Sequence, residues 1–249
     1  MDSKQKYTFS LFIKRLIDLA FAVVLIILTS PVMLITALLL KLESKAPVLY
    51  ISRRVGANYE IFDLYKFRSM IPDADSKLAE MSDMNMYKTG KGGDVQGHDY
   101  YDEDTWLYQD GEKISETEYL KQKAEKEGAA FKKFESDPRI TKLGTFIRNT
   151  SIDELPQLFN ILKGNMSIVG NRPLPLYEAE RLTTDYASKR FLAPAGLTGL
   201  WQVTKRGKAD MTEEERIDLD VYYAENFSLW LDLKIILKTF PAVFQSEKV

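Results

Sequence analysis

The sequence predicts an α+β, helix-rich protein associated with a membrane, and three observations support this fold class. Residues 19–40 form an apolar run without a charged residue, and as a helix such a run covers a hydrocarbon core of roughly 30 Å. Residues 48–70 contain two β-prone segments around a turn sequence. Residues 151–164 and the C-terminal region carry the capping residues and apolar spacing of helices.

The apolar run contains a break signal near its centre, because the proline of Ser30-Pro31 lacks a backbone donor and its ring crowds the preceding turn. A spanning helix usually has one basic-rich side. Here basic residues flank both ends, which also fits a helix–break–helix hairpin that enters and leaves through one leaflet. The residues alone leave the re-entrant and spanning arrangements open. A signal peptide is disfavoured, since the run is long and no small-residue cleavage site follows before Lys41. The flanking basic residues are Lys4, Lys6, Lys14, Arg15, Lys41, Lys45, Arg53 and Arg54.

Residues 48–70 predict a β-hairpin, because Gly56-Ala57-Asn58 between the two β-prone segments is turn chemistry. The composition changes sharply over residues 73–135, where Gly, Asp and Tyr are frequent and a charged helical stretch follows. We expect an insertion made of a loop and one solvated helix. The only histidine, His98, lies in this loop, where an exposed position is expected rather than a catalytic one.

A helix is predicted from Ser151 to Gly164. Ser151 is a suitable N-cap, Glu154 completes a capping box, and Gly164 closes the helix. Pro156 falls in or near the first turn, where proline is tolerated best. The predicted apolar face consists of Leu155, Leu158, Phe159 and Leu162.

The C-terminal region predicts an amphipathic helix, with Asp232, Lys234 and Lys238 away from its apolar positions. Tryptophan together with lysines is typical of a helix at a membrane interface. Packing on the protein's own core fits the same pattern. The apolar positions are Leu229, Trp230, Leu233, Ile236, Leu237 and Phe240.

The composition excludes several chemistries. The 249 residues contain no cysteine and one histidine, so thiolate nucleophiles, disulfides, Cys-ligated metals and two-histidine metal sites are excluded. A formal net charge of −2 gives no electrostatic reason to expect nucleic acid. Carboxylates, lysines, arginines, hydroxyls and hard metal ions remain.

The candidate catalytic group is the adjacent pair Asp153-Glu154, in the first turn of the predicted helix, where the helix dipole favours anions. One carboxylate could attack a substrate while the other holds a divalent cation such as Mg²⁺. In the alternative interpretation Glu154 only closes the capping box and Asp153 only interacts with the dipole. Nearby basic residues favour the first interpretation, because they bind phosphate oxygens, although anionic lipid headgroups would attract them too. They are Lys66, Arg68, Arg139, Arg148, Arg172, Lys205, Arg206 and Lys208.

Four segments carry a family resemblance: KFRSM at 66–70, DPRITKLGTFIRNTSIDELPQLFNILKGNMSIVGNRP at 137–173, APAGLTGLWQV at 193–203 and YYAENFSLWLDLKIILKT at 222–239. They resemble the bacterial sugar transferase family, the monotopic phosphoglycosyl transferases that begin capsule, exopolysaccharide or glycoprotein glycan assembly. The resemblance covers residues 10–248 except the insertion.

The resemblance implies a helix-rich α+β monotopic membrane protein with a re-entrant helix–break–helix hairpin at Ser30-Pro31, a small β-hairpin and amphipathic interfacial helices. The expected domains are residues 1–46, with the membrane helix, and residues 47–249, a catalytic domain with an insertion at about 73–135. The catalytic domain is expected on the cytoplasmic face of the bacterial inner membrane. The chain is similar to the minimal catalytic form of the family, without the extra membrane helices of its large members.

The implied reaction converts a UDP-sugar and polyprenyl (undecaprenyl) phosphate into polyprenyl-diphospho-sugar and UMP. Asp153 would attack the β-phosphate to form a phosphoglycosyl-aspartate, which the lipid phosphate then attacks, and Glu154 would bind Mg²⁺. Lys66 and Arg148 match family positions near the active-site phosphates. Arg206 matches the arginine that the family assigns to the uridine nucleotide.

Two features depart from the family pattern. Asn171 stands where proline is common, before Arg172, and the insertion exceeds the usual short connection. The insertion is expected either to border the nucleotide-sugar site or to bind a partner. Membrane lipids are expected partners, nucleic acid is not, and a homo-oligomer and the identity of the sugar stay open. The rival hypothesis is a non-catalytic membrane-anchored scaffold that binds nucleotide or lipid and has no chemical need for both acidic residues.

Overall fold

The computed structural model describes residues 3–72, 106–109, 112–115, 139–182, 184–205 and 212–243. Within these ranges the helix-rich α+β class is confirmed. The helices are α1 (Ser3–Glu43), α2 (Lys142–Asn149), α3 (Gln157–Lys163), α4 (Leu176–Ala179), α5 (Asp185–Ser188), α6 (Leu200–Lys205), α7 (Glu213–Glu225) and α8 (Leu229–Val243). The strands are β1 (Leu49–Val55), β2 (Ile61–Phe67), β3 (Trp106–Gln109), β4 (Glu112–Ser115), β5 (Ser167–Val169), β6 (Leu174–Pro175) and β7 (Gly196–Thr198). Short 3₁₀ turns cover Ala57–Tyr59, Ile152–Glu154 and Lys189–Leu192.

The predicted β-hairpin is present. β1 and β2 pair antiparallel along their whole length, with Tyr50 opposite Lys66 and Arg54 opposite Phe62. β6 pairs antiparallel with the other edge of β1, and β5 and β7 form a separate parallel pair. The hairpin turn contains Asn58 at a φ of 50°, a left-handed conformation that asparagine tolerates better than most residues.

Asn160 on α3 joins that helix to the outer edge of β2. Its amide oxygen accepts a hydrogen bond from the Tyr65 backbone N–H at 3.0 Å, and its amide nitrogen donates to the Asp63 carbonyl at 2.6 Å. The side chain therefore takes the place of a neighbouring strand. Since Asn160 is fully buried, its loss would leave backbone groups unpaired at about 1–3 kcal/mol each. The contact fixes α3, and the turn before it, against the hairpin.

The main core lies between α1, β2, α3, α7 and α8. Its buried residues are Ala22, Phe62, Leu64, Leu158, Ile161, Met166, Ile168, Val169, Ala193, Ala195, Tyr223 and Ile235. A smaller cluster of Leu40, Phe67 and Ile147 joins the C-terminal part of α1 to β2 and α2. Both halves of α1 therefore pack against the same folded unit.

α1 runs as one helix through Pro31, so the predicted break does not interrupt it. Pro31 has no N–H to donate to the Ile27 carbonyl, and the Ser30 hydroxyl donates to that carbonyl instead, at 2.9 Å. The Ser30-Pro31 pair therefore supplies its own substitute for the lost backbone bond.

α1 is long and apolar enough to cross a membrane over Ser10–Glu43. One face, at helical spacing, is buried or half-buried against the protein: Lys14, Asp18, Ala22, Leu25, Ile26, Thr29, Met33, Thr36, Ala37 and Leu40. The opposite face exposes large apolar side chains: Leu16, Val24, Ile27, Leu28, Leu34, Ile35, Leu38 and Leu42. An exposed apolar surface of this length indicates membrane association.

Buried polar contacts attach the N-terminal half of α1. The Lys14 ammonium pairs with Asp232 on α8 at 2.6 Å. The Asp18 carboxylate accepts hydrogen bonds from the Ser167 hydroxyl at 2.7 Å and the Ile168 backbone N–H at 3.0 Å, both on β5. Because these charged groups are buried and partnered, this half of α1 is part of the core.

The C-terminal end of α1 is held by Arg68. Its guanidinium donates to the carbonyl of Leu40, at 2.8 Å, and to that of Pro47. A cation at this position satisfies terminal carbonyls and complements the helix dipole. The sequence predicts that Arg68 binds phosphate, and this stays a prediction. In the structure two of its nitrogens donate to the carbonyls of Leu40 and Pro47.

The predicted helix start at Ser151 is wrong. Ser151 lies in the left-handed region, with φ 56° and ψ 17°, and its side chain forms no capping hydrogen bond. A capping box with Glu154 is therefore absent. The chain instead forms the 3₁₀ turn Ile152–Glu154, and α3 begins one residue after Pro156.

The predicted end of this helix is confirmed, since Gly164 adopts a φ of 95° as its C-cap. The predicted apolar face is partly wrong, because Leu158 is buried whereas Phe159 is 42% exposed. α3 is short, and Asn160 and Ile161 occupy the side that meets β2 and α1.

The C-terminal helix is confirmed as α8, and its apolar positions divide between two faces. Ile235 is buried in the core, while Trp230, Leu233 and Leu237 are exposed. Asp232, expected on the polar side, is buried against Lys14. The helix therefore both packs on the core and presents an apolar surface with tryptophan, which is compatible with an interfacial position.

The described part of the predicted insertion is an antiparallel pair, β3 and β4, with Trp106 opposite Ser115. The predicted solvated helix and His98 lie outside the described residues.

We expect Lys14→Met to lower the free energy of unfolding by about 3–5 kcal/mol, because it leaves Asp232 buried without its cation. The double variant Lys14→Met/Asp232→Asn should recover most of this loss, since asparagine keeps an acceptor for the Tyr223 hydroxyl. Thermal unfolding in detergent micelles measures both variants. Equal destabilisation of the single and double variants would contradict this interpretation of the pair.

Candidate active site

Asp153 and Glu154 lie in the 3₁₀ turn between α2 and α3. Asp153 is buried, with 7% of its surface exposed, and Glu154 is half-buried. Adjacent side chains of a 3₁₀ turn point about 120° apart, so the two carboxylates face different surroundings. The left-handed Ser151 produces this turn where a continuous helix was predicted.

Lys66 lies between the two carboxylates. Its ammonium is 3.5 Å from Asp153 Oδ2 and 3.0 Å from Glu154 Oε1. Arg172 donates to the same Glu154 Oε1 at 3.0 Å. Lys66 comes from β2 and Arg172 from the loop before β6, so the tertiary fold brings distant segments to the acidic pair.

Arg148, in the last turn of α2, supplies a donor for a ligand. Its Nη1 is buried, and no described residue accepts a hydrogen bond from it. The positive charge of Arg148 also acts on the Asp153 carboxyl. An unpaired buried guanidinium donor is unfavourable, and guanidinium geometry matches phosphate oxygens. This donor indicates an anionic ligand beside Asp153.

Burial raises the pKa of Asp153 above its ordinary value of 3.8. Lys66 opposes this rise, Glu154 adds to it, and Arg148 and Arg172 oppose it further. A buried carboxylate set against several cations is characteristic of catalytic sites.

A buried ion pair positions the loop that carries Arg172. Arg190 donates to Asp220 Oδ2 through Nε at 3.0 Å and Nη2 at 2.7 Å, and Nη2 also donates to the Arg172 carbonyl at 2.9 Å. The Asn171 amide donates to the carbonyls of Arg190 and Asp220, each at 2.9 Å. Asn171, the departure from the family pattern, thus belongs to the network that holds this loop.

The structure brings Lys66, Arg148 and Arg172 to the acidic pair, as the sequence predicts. Arg139 is buried near Tyr177. Burial raises the pKa of Tyr177 to about 12, and the positive charge of Arg139 acts to lower it. Arg206 lies outside the described residues.

Sequence reasoning missed Arg54, which lines a small cavity together with Lys66 and Arg172. The sequence suggested Arg54 only as a basic residue flanking the membrane helix. The strand pattern could have indicated Arg54. Arg54 and Tyr50 lie four residues apart on β1, and the register places both side chains on the same face of the sheet as Lys66. The remaining lining residues are Leu64, Gln157, Pro173 and Gly196.

A wider cleft between α1 and the hairpin turn is not the candidate site. Its charged residues include Lys14, Arg15 and Asp18. Lys14 pairs with Asp232, Arg15 donates to the Ile161 carbonyl, and the Asp18 carboxylate is bound by β5. These charges stabilise the docking of α1.

Comparison with known proteins points to one family. The family described as "Bacterial sugar transferase" matches residues 9–246 of the chain. The exopolysaccharide production protein ExoY of Rhizobium meliloti is 36% identical over 235 residues, which are 94% of this chain and 86% of that protein.

Two longer relatives carry more specific names. The undecaprenyl-phosphate galactose phosphotransferase of Salmonella typhimurium is 34% identical over 238 residues, 96% of this chain. The UDP-N-acetylgalactosamine-undecaprenyl-phosphate N-acetylgalactosaminephosphotransferase of Aeromonas hydrophila is 35% identical over 236 residues, 93% of this chain. The chain spans 42% and 44% of the lengths of these two relatives.

We expect Asp153→Asn to raise the melting temperature near neutral pH. Because burial raises the pKa of Asp153, the folded protein holds this proton more tightly than the unfolded chain, and the ionised carboxylate destabilises the fold above that pKa. The stabilisation should be largest at about pH 7.5 and shrink towards about pH 4. Differential scanning calorimetry over this range measures it.

Glu154→Gln is the matched control, because Glu154 Oε1 accepts from both Lys66 and Arg172. Its melting temperature should fall rather than rise. If Asp153→Asn melted below the parent protein at every pH, the Asp153 carboxylate would be stabilising and this interpretation would be wrong.

Proposed function

The chain belongs to the bacterial sugar transferase family, and we propose that it transfers a sugar-1-phosphate from a UDP-sugar to polyprenyl phosphate and releases UMP. The product would be the first lipid-linked intermediate of exopolysaccharide or capsule assembly. The names of relatives support a phosphotransferase acting on a lipid carrier. The observation that carries the proposal is the buried Asp153 beside three cations, one of which keeps a buried donor unpaired.

In the proposed first step, an Asp153 carboxylate oxygen attacks the β-phosphorus of the UDP-sugar. A phosphorus–oxygen bond forms to Asp153, and the bond from the β-phosphorus to the bridging oxygen breaks, so that UMP leaves with the electron pair. In the second step, an oxygen of polyprenyl phosphate attacks the same phosphorus. This attack displaces Asp153 as a carboxylate and gives polyprenyl-diphospho-sugar.

Lys66, Arg148 and Arg172 would stabilise the negative charge that develops on the phosphoryl oxygens. Lys66 already lies within reach of both carboxylates, so it can keep Asp153 ionised before the reaction. Arg148 can bind a phosphoryl oxygen through Nη1 without breaking a protein hydrogen bond among the described residues. We propose Arg206, outside those residues, for the uridine nucleotide.

The residues present fit Mg²⁺ only if substrate supplies ligands. The described residues contain no group of three or more metal-ligating side chains, and the acidic pair offers two carboxylates. Mg²⁺ is typically held by one or two carboxylates together with substrate phosphates. We propose Glu154 as its protein ligand, and the bound ion would neutralise charge on the diphosphate.

The attachment of both halves of α1 to the same domain supports a re-entrant arrangement. The N-terminal half is bonded to α8 and β5, and the C-terminal end is bonded to Arg68 on the hairpin side. A helix that crossed the bilayer would carry one end roughly 30 Å away from a domain on the other side. We propose that both ends of α1 stay on the cytoplasmic face of the inner membrane, where UDP-sugars occur. We also propose that α1, which is continuous through Pro31 in the structure, bends in the membrane at Ser30-Pro31.

We expect Asp153→Asn to abolish UMP release when a UDP-sugar and polyprenyl phosphate are supplied together, because the nucleophile is removed. UMP is measured by a coupled luminescence assay over a panel of UDP-sugars, which also identifies the sugar. Incubation of the parent protein with labelled UDP-sugar alone should leave label on Asp153. Turnover by Asp153→Asn would exclude the covalent mechanism and favour a different nucleophile.

Glu154→Gln provides the second comparison. It should retain membrane association and show a higher Mg²⁺ concentration for half-maximal rate, because one carboxylate ligand is lost. An unchanged Mg²⁺ dependence would show that Glu154 is not a ligand of the metal. The proposed role of Asp153 as the nucleophile would not be affected.

We expect cysteines introduced at Ser3 and Ala46 to react with a membrane-impermeant maleimide from the same face of sealed vesicles. The parent chain contains no cysteine, so each label reports a single position. Replacement of Ser30-Pro31 by Ala-Ala should shift molecules towards opposite-face labelling, since a regular helix loses its hinge. Opposite-face labelling in the otherwise unchanged protein would contradict the re-entrant arrangement.

A further inference from the structure

Arg54 lines one cavity together with two residues of the proposed active site. Tyr50 is opposite Lys66 across β1 and β2, and Tyr50 and Arg54 share a face because side chains alternate along a strand. Arg54 is also opposite Pro175 of β6, three residues after Arg172. On β2, Arg54 is opposite Phe62, four residues before Lys66. All three cations nevertheless line one small cavity.

On the Arg54 side of the cavity, the acidic residue whose charge acts on Arg54 is Glu178. The hydrogen bond that Arg54 makes within the described part of the chain runs from its Nε to the Ser52 hydroxyl, at 3.1 Å. On the opposite side, Glu154 accepts from both Lys66 and Arg172. The Nη groups of Arg54 are thus the donors that a ligand in the cavity would meet.

Two guanidinium groups close together in a buried place repel one another. Burial, and then the nearby Arg172, lower the pKa of Arg54, while Glu178, Tyr177 and Tyr50 act in the opposite direction. An anion between Arg54 and Arg172 would replace this repulsion by two attractive interactions. Phosphate oxygens suit the cavity best, because the planar fork of arginine binds two of them at once.

We infer that Arg54 is a phosphate-binding residue of the active site, and that with Lys66 and Arg172 it forms one cavity for phosphoryl oxygens next to the acidic pair. This inference rests on the proposed function. The phosphoryl group belongs either to the diphosphate of the UDP-sugar or to the phosphate of the polyprenyl carrier. Both sources present the same phosphate oxygens. They are distinguished by which substrate binds more weakly when Arg54 is changed.

Arg54→Gln should weaken phosphate binding at least about tenfold, the effect of losing one charged hydrogen-bonding group. Isothermal titration with UDP, and the KM values for the UDP-sugar and for polyprenyl phosphate, are measured on the full chain in nanodiscs. Weaker UDP binding with a higher UDP-sugar KM assigns the cavity to the donor. A higher KM for polyprenyl phosphate alone assigns it to the lipid. Unchanged UDP affinity and unchanged KM values for both substrates overturn the inference.

Arg53→Gln is the matched control, because Arg53 is exposed and faces the other side of β1 from Arg54. It should bind and react like the parent protein. Arg54→Lys keeps the charge without the fork and should recover part of the affinity, which a merely structural role for the guanidinium would not produce.

A further measurement uses the unmodified protein, so its result does not depend on whether a variant folds. UDP or polyprenyl phosphate should protect Arg54 from phenylglyoxal, with peptide mass spectrometry as the readout and Arg53 as the internal unprotected reference. Modification of Arg54 at an equal rate with and without either ligand overturns the inference. If the parent protein binds UDP and protects Arg54 but releases no UMP from any UDP-sugar, the proposed function fails while the phosphate site stands.

Discussion

The architecture of the site depends on keeping one carboxylate, Asp153, out of water and next to other charges. Burial opposes its ionisation, so cations must be held close, and they come from segments far apart in the chain: Lys66 on β2, Arg148 on α2 and Arg172 in the loop before β6. None of these segments is long enough to hold its position alone. The buried side-chain bonds of Asn160 fix the turn that carries Asp153 against β2. The Arg190–Asp220 pair holds the loop that carries Arg172.

The membrane helix belongs to the same arrangement and is more than an anchor. An anchor needs an apolar surface, whereas α1 also buries Lys14 and Asp18 and places both on partners in the domain. Asp18 binds the start of β5, and the chain runs from β5 through Gly170 to Arg172. The apolar helix is therefore fixed relative to the loop that carries Arg172, which suits the proposed reaction between a lipid phosphate and a soluble nucleotide.

The sequence is sufficient to predict those features that local chemistry determines. The hairpin follows from β-prone segments around Gly56-Ala57-Asn58, and the end of α3 follows from Gly164. The surroundings of Arg68 and Arg54 could not be predicted, because strand alternation tells which residues share a face but not which element covers that face. Arg68 meets the end of α1, and Arg54 meets Arg172 through the pairing of β6, a strand of two residues with no signal of its own.

The start of α3 shows why local rules fail at the site itself. A regular helix from Ser151 with a capping box would have bound Glu154 to its own backbone and left Lys66 and Arg172 without their common acceptor. The left-handed Ser151 gives up that cap and its favourable backbone energy. In return the 3₁₀ turn buries Asp153 and directs Glu154 to the two cations. Local stability is lost at the same residues where the proposed nucleophile is buried, which is the pattern expected when function rather than folding selects the conformation.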